Sequence, residues 1–240
     1  MRIDAAIFDL DDTLYAYAPC HEAGMEAAGR AADAAAGIKR EEFLPAFRAA
    51  RGEIHDALRG TAAQHNRLLY FQRALEKLGV SGAHALTLYD AYWDTFLSRM
   101  TLAPGVAELL AALRGRGVPT GICSDLTAHI QHRKMARLGL WEYIGALVTS
   151  EEAGAEKPSP RMFGLILGKL GVTDRAHAWF VGDSLEKDAL GACAAGMRAV
   201  HLSIGALAGM REKDGFSYCA ASDFSDIAAM WGLEAGNERE

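Results

Sequence analysis

The chain has 240 residues, half of them hydrophobic, enough for one large domain or for a core domain with a smaller insertion. Its 31 acids against 25 Lys plus Arg give a net charge of −6, which argues against a general binder of nucleic acid or anionic membranes, since both need a cationic face. An anionic substrate would have to be met by cations placed locally.

Cys20, Cys123, Cys193 and Cys219 are scattered with no Cys-x-x-Cys pair, so neither a disulfide framework nor a zinc knuckle is suggested, and reduced, mostly buried thiols are expected. No run approaches the ~18 apolar residues of a membrane span, and Met1-Arg2-Ile3-Asp4 leads straight into a strand with no secretory leader pattern. The expectation is a cytoplasmic protein.

The first element, Ala5 to Phe8, is an apolar run that reads as a buried strand. It ends in three acids within four positions, Asp9, Asp11 and Asp12. Carboxylates at the end of a buried strand are costly to desolvate unless a metal or a cation meets them, which makes the cluster a candidate site; a solvated acidic turn is the plainer reading. From Pro19 to about Met100 no strand pattern is evident. Amphipathic, Ala-rich segments near 21–36, 41–58, 63–79 and 83–99, punctuated by Gly37, Gly60, Gly79 and Gly82, predict helices. Leu68, Phe71, Leu75 and Leu78 form one apolar stripe that a small helical bundle would bury.

After Ala103-Pro104-Gly105 the pattern alternates: helix 105–115, strand 118–123, helix 127–138, strand 145–149, helix 160–170, strand 177–181, helix 185–195, strand 198–202. This predicts an α/β fold with a Rossmann-like parallel sheet of five strands, counting the one at 4–8, helices on both faces and the helical block inserted after the first strand. The expected organisation is a discontinuous core of 1–17 and 101–233, an all-helical cap domain over 18–100, and a flexible charged tail at 234–240, with Tyr218 to Leu233 as a short strand and a helix.

In open α/β sheets ligands bind beyond the carboxyl ends of the strands. After strand 118–123 come Ser124 and Asp125, a hydroxyl close to a helix start, able to meet an anion or merely to cap the helix. Beyond strand 145–149 a long loop ends in Glu156-Lys157-Pro158, where proline restricts the lysine backbone; Lys157 is a local cation or a surface lysine paired with Glu156. Strand 177–181 is followed by Gly182-Asp183-Ser184-Leu185-Glu186-Lys187-Asp188, with two acids five apart that suit a hard divalent cation or, for Asp183, a helix cap.

Four strand ends thus carry Asp-x-Asp, Ser, Lys and Gly-Asp-x-x-x-x-Asp in order. On these residues the chain resembles the haloacid dehalogenase-like hydrolase superfamily, in the phosphatase branch with a helical cap after the first strand; the similarity spans everything but the tail. The resemblance implies Asp9 as nucleophile forming an aspartyl-phosphate, Asp11 as acid and base, and Ser124, Asp125 and Lys157 as phosphate contacts. It implies Mg²⁺ held by Asp9, the Asp11 backbone carbonyl and Asp183, with Asp188 supporting the metal directly or through water. The expected partner is a small phosphorylated metabolite, not nucleic acid or membrane, and the expected assembly a monomer or homodimer.

Asp11 also separates relatives. Dehalogenases of this superfamily lack an acid there, phosphomutases keep both aspartates, and phosphonatase-like enzymes need a cap lysine, for which only Lys39 and Lys77 are available. The favoured function is a Mg²⁺-dependent phosphatase acting on a nucleotide or sugar phosphate, with a phosphomutase or a non-catalytic regulatory homologue as alternatives. Two positions depart from the family pattern: Lys187 where Asn is frequent, and Asp12 where Gly is frequent. His129 and His132 lack a ligand partner and read as structural or surface residues. Tyr15, Tyr17, His21, Arg51, His55 and Arg67 are candidate substrate contacts, each taken alone reading as part of a solvated face.

Overall fold

A computed structural model describes residues 2–233. The expected tail at 234–240 lies outside the described residues. The first strand, β1 (Ala5–Phe8), is fully buried, and four long helices follow: α1 (Tyr17–Ala36), α2 (Arg40–Ala57), α3 (Arg67–Lys77) and α4 (Ala85–Arg99). Short 3₁₀ turns at Ala62–His65 and Gly82–His84 break what the sequence pattern presents as two continuous helices. The apolar stripe is buried as expected: Phe71 and Leu75 are sealed, while Leu68 and Leu78 pack partly buried against them. Gly24 allows α1 to lie directly on α4, because a Cβ there would stand 2.9 Å from the Tyr92 ring.

The chain then alternates through α5 (Val106–Gly115), β2 (Thr120–Ser124), α6 (Ala128–Arg137), β3 (Ala146–Thr149), a single helical turn α7 (Ser150–Ala153) and α8 (Pro160–Lys169). It continues through β4 (Ala178–Gly182), a π-helical turn at Leu185–Leu190, α9 (Gly191–Ala194), β5 (Arg198–Leu202), β6 (Gly209–Lys213), β7 (Phe216–Ala221) and α10 (Phe224–Trp231). The expected helix over 185–195 is therefore a wide turn joined to a short α segment.

The sheet runs β3-β2-β1-β4-β5-β7-β6. The expected five-stranded parallel sheet is a core of the observed one: β7 adds a sixth parallel strand and β6 an antiparallel edge. The strand β6 is unforeseen because its residues, Gly-Met-Arg-Glu-Lys, carry no apolar alternation; pairing with β7 imposes the extended form.

Both faces of the parallel strands are covered. Ala6 and Phe8 of β1 join the core containing Leu109, Leu110, Leu113 and Trp231, while Ala5 and Ile7 join the core containing Phe163, Ile166 and Ala192. That explains continuous apolar runs in place of alternation. The strand β1 lies between β2 and β4, where the order of connection reverses, so a crevice opens at its carboxyl end and at that of β4.

Candidate active site

Asp9 follows the last residue of β1 and is only 6% exposed. One of its oxygens, Oδ1, accepts from Lys157 Nζ at 2.6 Å, and the same ammonium donates to Asp188 Oδ1 at 2.6 Å. Lys157 is thus a buried cation between two carboxylates; Glu156 turns away to His65 and Gln64, which disposes of the surface pair between Glu156 and Lys157. Burial works to lower the lysine pKa, but Asp188 and Asp9 outweigh it and hold the ammonium charged.

Asp183 precedes the π-helical turn after β4 and Asp188 lies within it. Asp188 Oδ2 accepts the Ser184 N–H at 3.0 Å. Gly182 is needed here, since a Cβ would fall 2.3 Å from Asp188 Oδ2. Thr13 ties the two strand ends together: its hydroxyl accepts the Asp183 N–H at 3.1 Å and stands 3.3 Å from Asp183 Oδ1 and 3.5 Å from Asp9 Oδ2. Burial, then Asp9 and Asp12, push the Asp183 carboxyl up to about 6. Burial also lifts Asp188 to about 7, against the pull of Lys157.

Oxygens of Asp9, Asp183 and Asp188 all lie within 4.8 Å of one another. Three converging carboxylates face one lysine, an excess of negative charge that a divalent cation would neutralise, and an all-oxygen donor set suits Mg²⁺. The residues present therefore fit the metal. His129 and His132 belong to no such group, and His132 rests on the Trp141 ring at 5.3 Å.

Asp11, with a side chain 27% exposed, projects the other way. Its Oδ1 accepts from Lys134 Nζ at 2.5 Å and from the Tyr15 hydroxyl, and its Oδ2 from Gln131 Nε2 at 3.1 Å. Burial alone would raise its carboxyl; Lys134, Tyr15 and Gln131 outweigh burial and hold it below the usual range. Ser124 Oγ accepts from Gln131 Nε2 at 2.9 Å, which leaves its own proton free to point into the crevice.

The Asp125 side chain takes a different part from the phosphate contact expected of it. Its carboxylate, an acceptor only, receives the Lys157 N–H at 3.0 Å and Lys187 Nζ at 2.9 Å, so only its backbone could donate to a phosphate. Lys187, the residue standing in place of the frequent Asn, braces this loop from the β4 side. Asp12 adopts a left-handed φ of 58°, the conformation that makes Gly frequent there, and its carboxylate accepts the Tyr17 N–H at 2.9 Å.

These groups line one cavity of about 290 Å³, floored by Asp9, Asp11, Ser124, Lys157 and Asp183 and roofed from the helical insertion by Arg51, His65 and Arg67. Lys39 and Lys77 do not reach it; they pair with Asp33 and Glu53. Reading single residues as solvated faces fails for Arg67, whose Nε is sealed from solvent beneath Tyr17, Tyr70 and Trp93. Lys134 and Gln131, both fully buried, are site residues that sequence motifs pass over.

A family model described as haloacid dehalogenase-like hydrolase matches residues 3–196. The chain belongs to the haloacid dehalogenase-like hydrolase family. This hydrolase is 44% identical over 199 residues to a ribulose-1,5-bisphosphate 5-phosphatase of Halopiger xanaduensis, covering 82% of this chain and 83% of that one. It is 32% identical over 208 residues to a glyceraldehyde 3-phosphate phosphatase of Methanopyrus kandleri, covering 85% of each. Its fold matches the crystal structure of an HAD phosphatase from Thermococcus onnurineus with a TM-score of 0.72 at 24% identity, over 97% of this chain and 99% of that one. The chain is an enzyme, a hydrolase whose relatives carry phosphatase names. Among the described residues, none of its helices is long and apolar enough to cross a membrane.

Proposed function

We propose that this hydrolase is a Mg²⁺-dependent phosphatase that cleaves a small sugar phosphate through an aspartyl-phosphate on Asp9. The observation that carries the reading is Asp9 itself: a buried carboxylate with Lys157 Nζ at 2.6 Å, opening into the cavity beside a second aspartate two residues on. In this reading Asp9 attacks phosphorus, the bond to the leaving oxygen breaks, and Asp11, which must take up a proton beforehand against the pull of Lys134, gives it to that oxygen. Asp11 then takes a proton from water as the water attacks the phosphorylated Asp9, releasing phosphate and regenerating the carboxylate. Lys157 and the Ser124 hydroxyl stabilise the charge on the phosphoryl oxygens. Mg²⁺ would be held by Asp9, Asp183 and the Asp11 backbone, with Asp188 in support, and when bound supplies charge neutralisation of the phosphoryl group.

Asp11 favours phosphate over halide chemistry, because an alkoxide leaving group needs a proton and a halide does not. The helical block over 18–100 acts as a cap that closes the cavity and selects the leaving group. The names of the two relatives, one a sugar bisphosphate 5-phosphatase and the other a triose phosphate phosphatase, support a phosphorylated carbohydrate. The test is phosphate release from ribulose 1,5-bisphosphate, ribulose 5-phosphate, glyceraldehyde 3-phosphate, 2-phosphoglycolate and nucleotides, with Mg²⁺ and with chelator. Release only with Mg²⁺ and fastest from sugar phosphates is expected. No release from any ester, or equal release in chelator, would overturn the reading, and transfer to a second hydroxyl without net release would point to a mutase.

A further inference from the structure

The floor of the cavity accounts for one phosphate. Its roof holds cations that this chemistry does not use. Arg67 opens α3 with its side chain folded inward: one guanidinium nitrogen donates to the His65 carbonyl at 2.6 Å, another to the Tyr17 hydroxyl, and the third, Nε, is buried with no partner. Its charge lies 5.5 to 5.9 Å from the rings of Tyr70, Tyr17 and Trp93. All of these partners are neutral. Among the described residues neither Arg67 nor Arg51 pairs with a carboxylate, whereas the third basic residue of the roof, His65, is already taken by Glu156 at 2.8 Å. A desolvated guanidinium without a counter-charge is costly, and aromatic faces offset only part of that cost.

The surroundings carry the same excess. Burial, then Arg67 and Arg51, push His21 down to about 4, so it stays neutral and bonds the Tyr92 hydroxyl at 2.7 Å. Arg51 also lines an adjoining cavity of about 430 Å³ between α1 and α2, where Arg40 and Arg48 face a single acid, Glu22. A positively charged roof over an acidic, metal-suited floor is the pattern of a site that receives negative charge at two places, one at Asp9 and one beneath Arg67.

We propose that Arg51 and Arg67 form a second anion subsite and that the substrate class is a phosphate ester bearing another anionic group, a second phosphate or a carboxylate, on the leaving-group side. The exposed Arg51 guanidinium, which pairs with no carboxylate among the described residues, suits either group in bidentate fashion, and Arg67 adds its charge and the N–H groups that His65 and Tyr17 leave free. This rests on the phosphatase reading. The two fail differently: the phosphatase reading fails if no ester is hydrolysed, and the subsite fails if esters are hydrolysed with no preference for a second anion.

The experiment compares kcat/KM for ribulose 1,5-bisphosphate, 2-phosphoglycolate and the singly charged-headed ribulose 5-phosphate in wild type, Arg51→Gln, Arg67→Met and Arg67→Lys. Arg67→Met risks the fold because the side chain is packed; Arg51→Gln, at an exposed position of α2, keeps the test decisive. In wild type the doubly anionic esters are preferred, the bisphosphate arm identifying a phosphate subsite and the phosphoglycolate arm a carboxylate subsite. In Arg51→Gln and Arg67→Met the ratio to ribulose 5-phosphate drops by about 10- to 100-fold, mostly through KM, and Arg67→Lys recovers part of it. An unchanged ratio in Arg51→Gln, or a wild type that prefers ribulose 5-phosphate to both doubly anionic esters, overturns the subsite.

Discussion

Lys134 Nζ lies 2.5 Å from Asp11 Oδ1, and the lysine is 0% exposed. The rings of Trp93, Phe96 and Tyr15 surround the ammonium at 5.6 to 5.9 Å, so Asp11 is its sole carboxylate partner among the described residues. The pairing joins α4, α6 and the strand end of β1 at the group proposed to handle the proton. Replacing the lysine by methionine, Lys134→Met, keeps the volume and removes the charge. Burial then dominates and the Asp11 carboxyl rises, so protonation occurs at higher pH. We expect kcat to fall by roughly 10- to 100-fold and the pH optimum of kcat to move upward. Full pH profiles of wild type and variant check this; an optimum that stays in place would sever Lys134 from the proton chemistry.

Metal affinity is expected to fall with acidity. Asp183 and Asp188 have carboxyls pushed up to about 6 and about 7, and each must lose its proton to serve a cation. Both folded-state values lie above the ordinary carboxylate range, so the metal-free protein takes up protons as pH falls through that window, and Mg²⁺ must displace them. Calorimetric titration from about pH 8 to about pH 5.5 should show weakening of up to about tenfold per unit for each proton displaced, with protons released on binding. A flat affinity across that range would contradict the assignment of these two acids.

Gly182→Ala tests the close approach at the end of β4. The added methyl would collide with the Asp188 carboxylate, which Ser184 N–H and Lys157 hold from two sides. Relief requires displacing Asp188 and with it Lys157. A stability loss of about 1–3 kcal/mol is expected, together with a raised Mg²⁺ requirement. Thermal unfolding and the Mg²⁺ dependence of turnover measure the two effects, and a variant matching wild type in both would show that the turn yields freely.

The parallel core was legible because strands buried on both faces are written as uninterrupted apolar runs, as in Ala5 to Phe8 and Ala178 to Val181. The floor of the site was legible for a related reason: charge placed directly after such runs is costly to desolvate, and its recurrence at four strand ends pointed to one shared site. The edge strand β6 was not, since Arg211, Glu212 and Lys213 are extended only by pairing with Tyr218, Ser217 and Phe216. Lys134 and Arg67 look like ordinary helix-surface cations among basic neighbours. A faint signal existed in both cases. Gln131 and Lys134 share the buried stripe of Ile130 and Met135, and Arg67 precedes Tyr70, Phe71 and Ala74 at steps that place all four on one buried face. Composition gives no reason to prefer that reading until the aromatic pocket is assembled from α1, α3 and α4.

The most direct test of the whole account is the fate of Asp9. Wild-type enzyme turning over a sugar phosphate with Mg²⁺ and quenched in acid should yield the peptide containing Asp9 carrying a phosphoryl group by mass spectrometry, and Asp9→Asn should show neither the adduct nor phosphate release. Phosphate release by Asp9→Asn at the wild-type rate would contradict covalent catalysis at this residue.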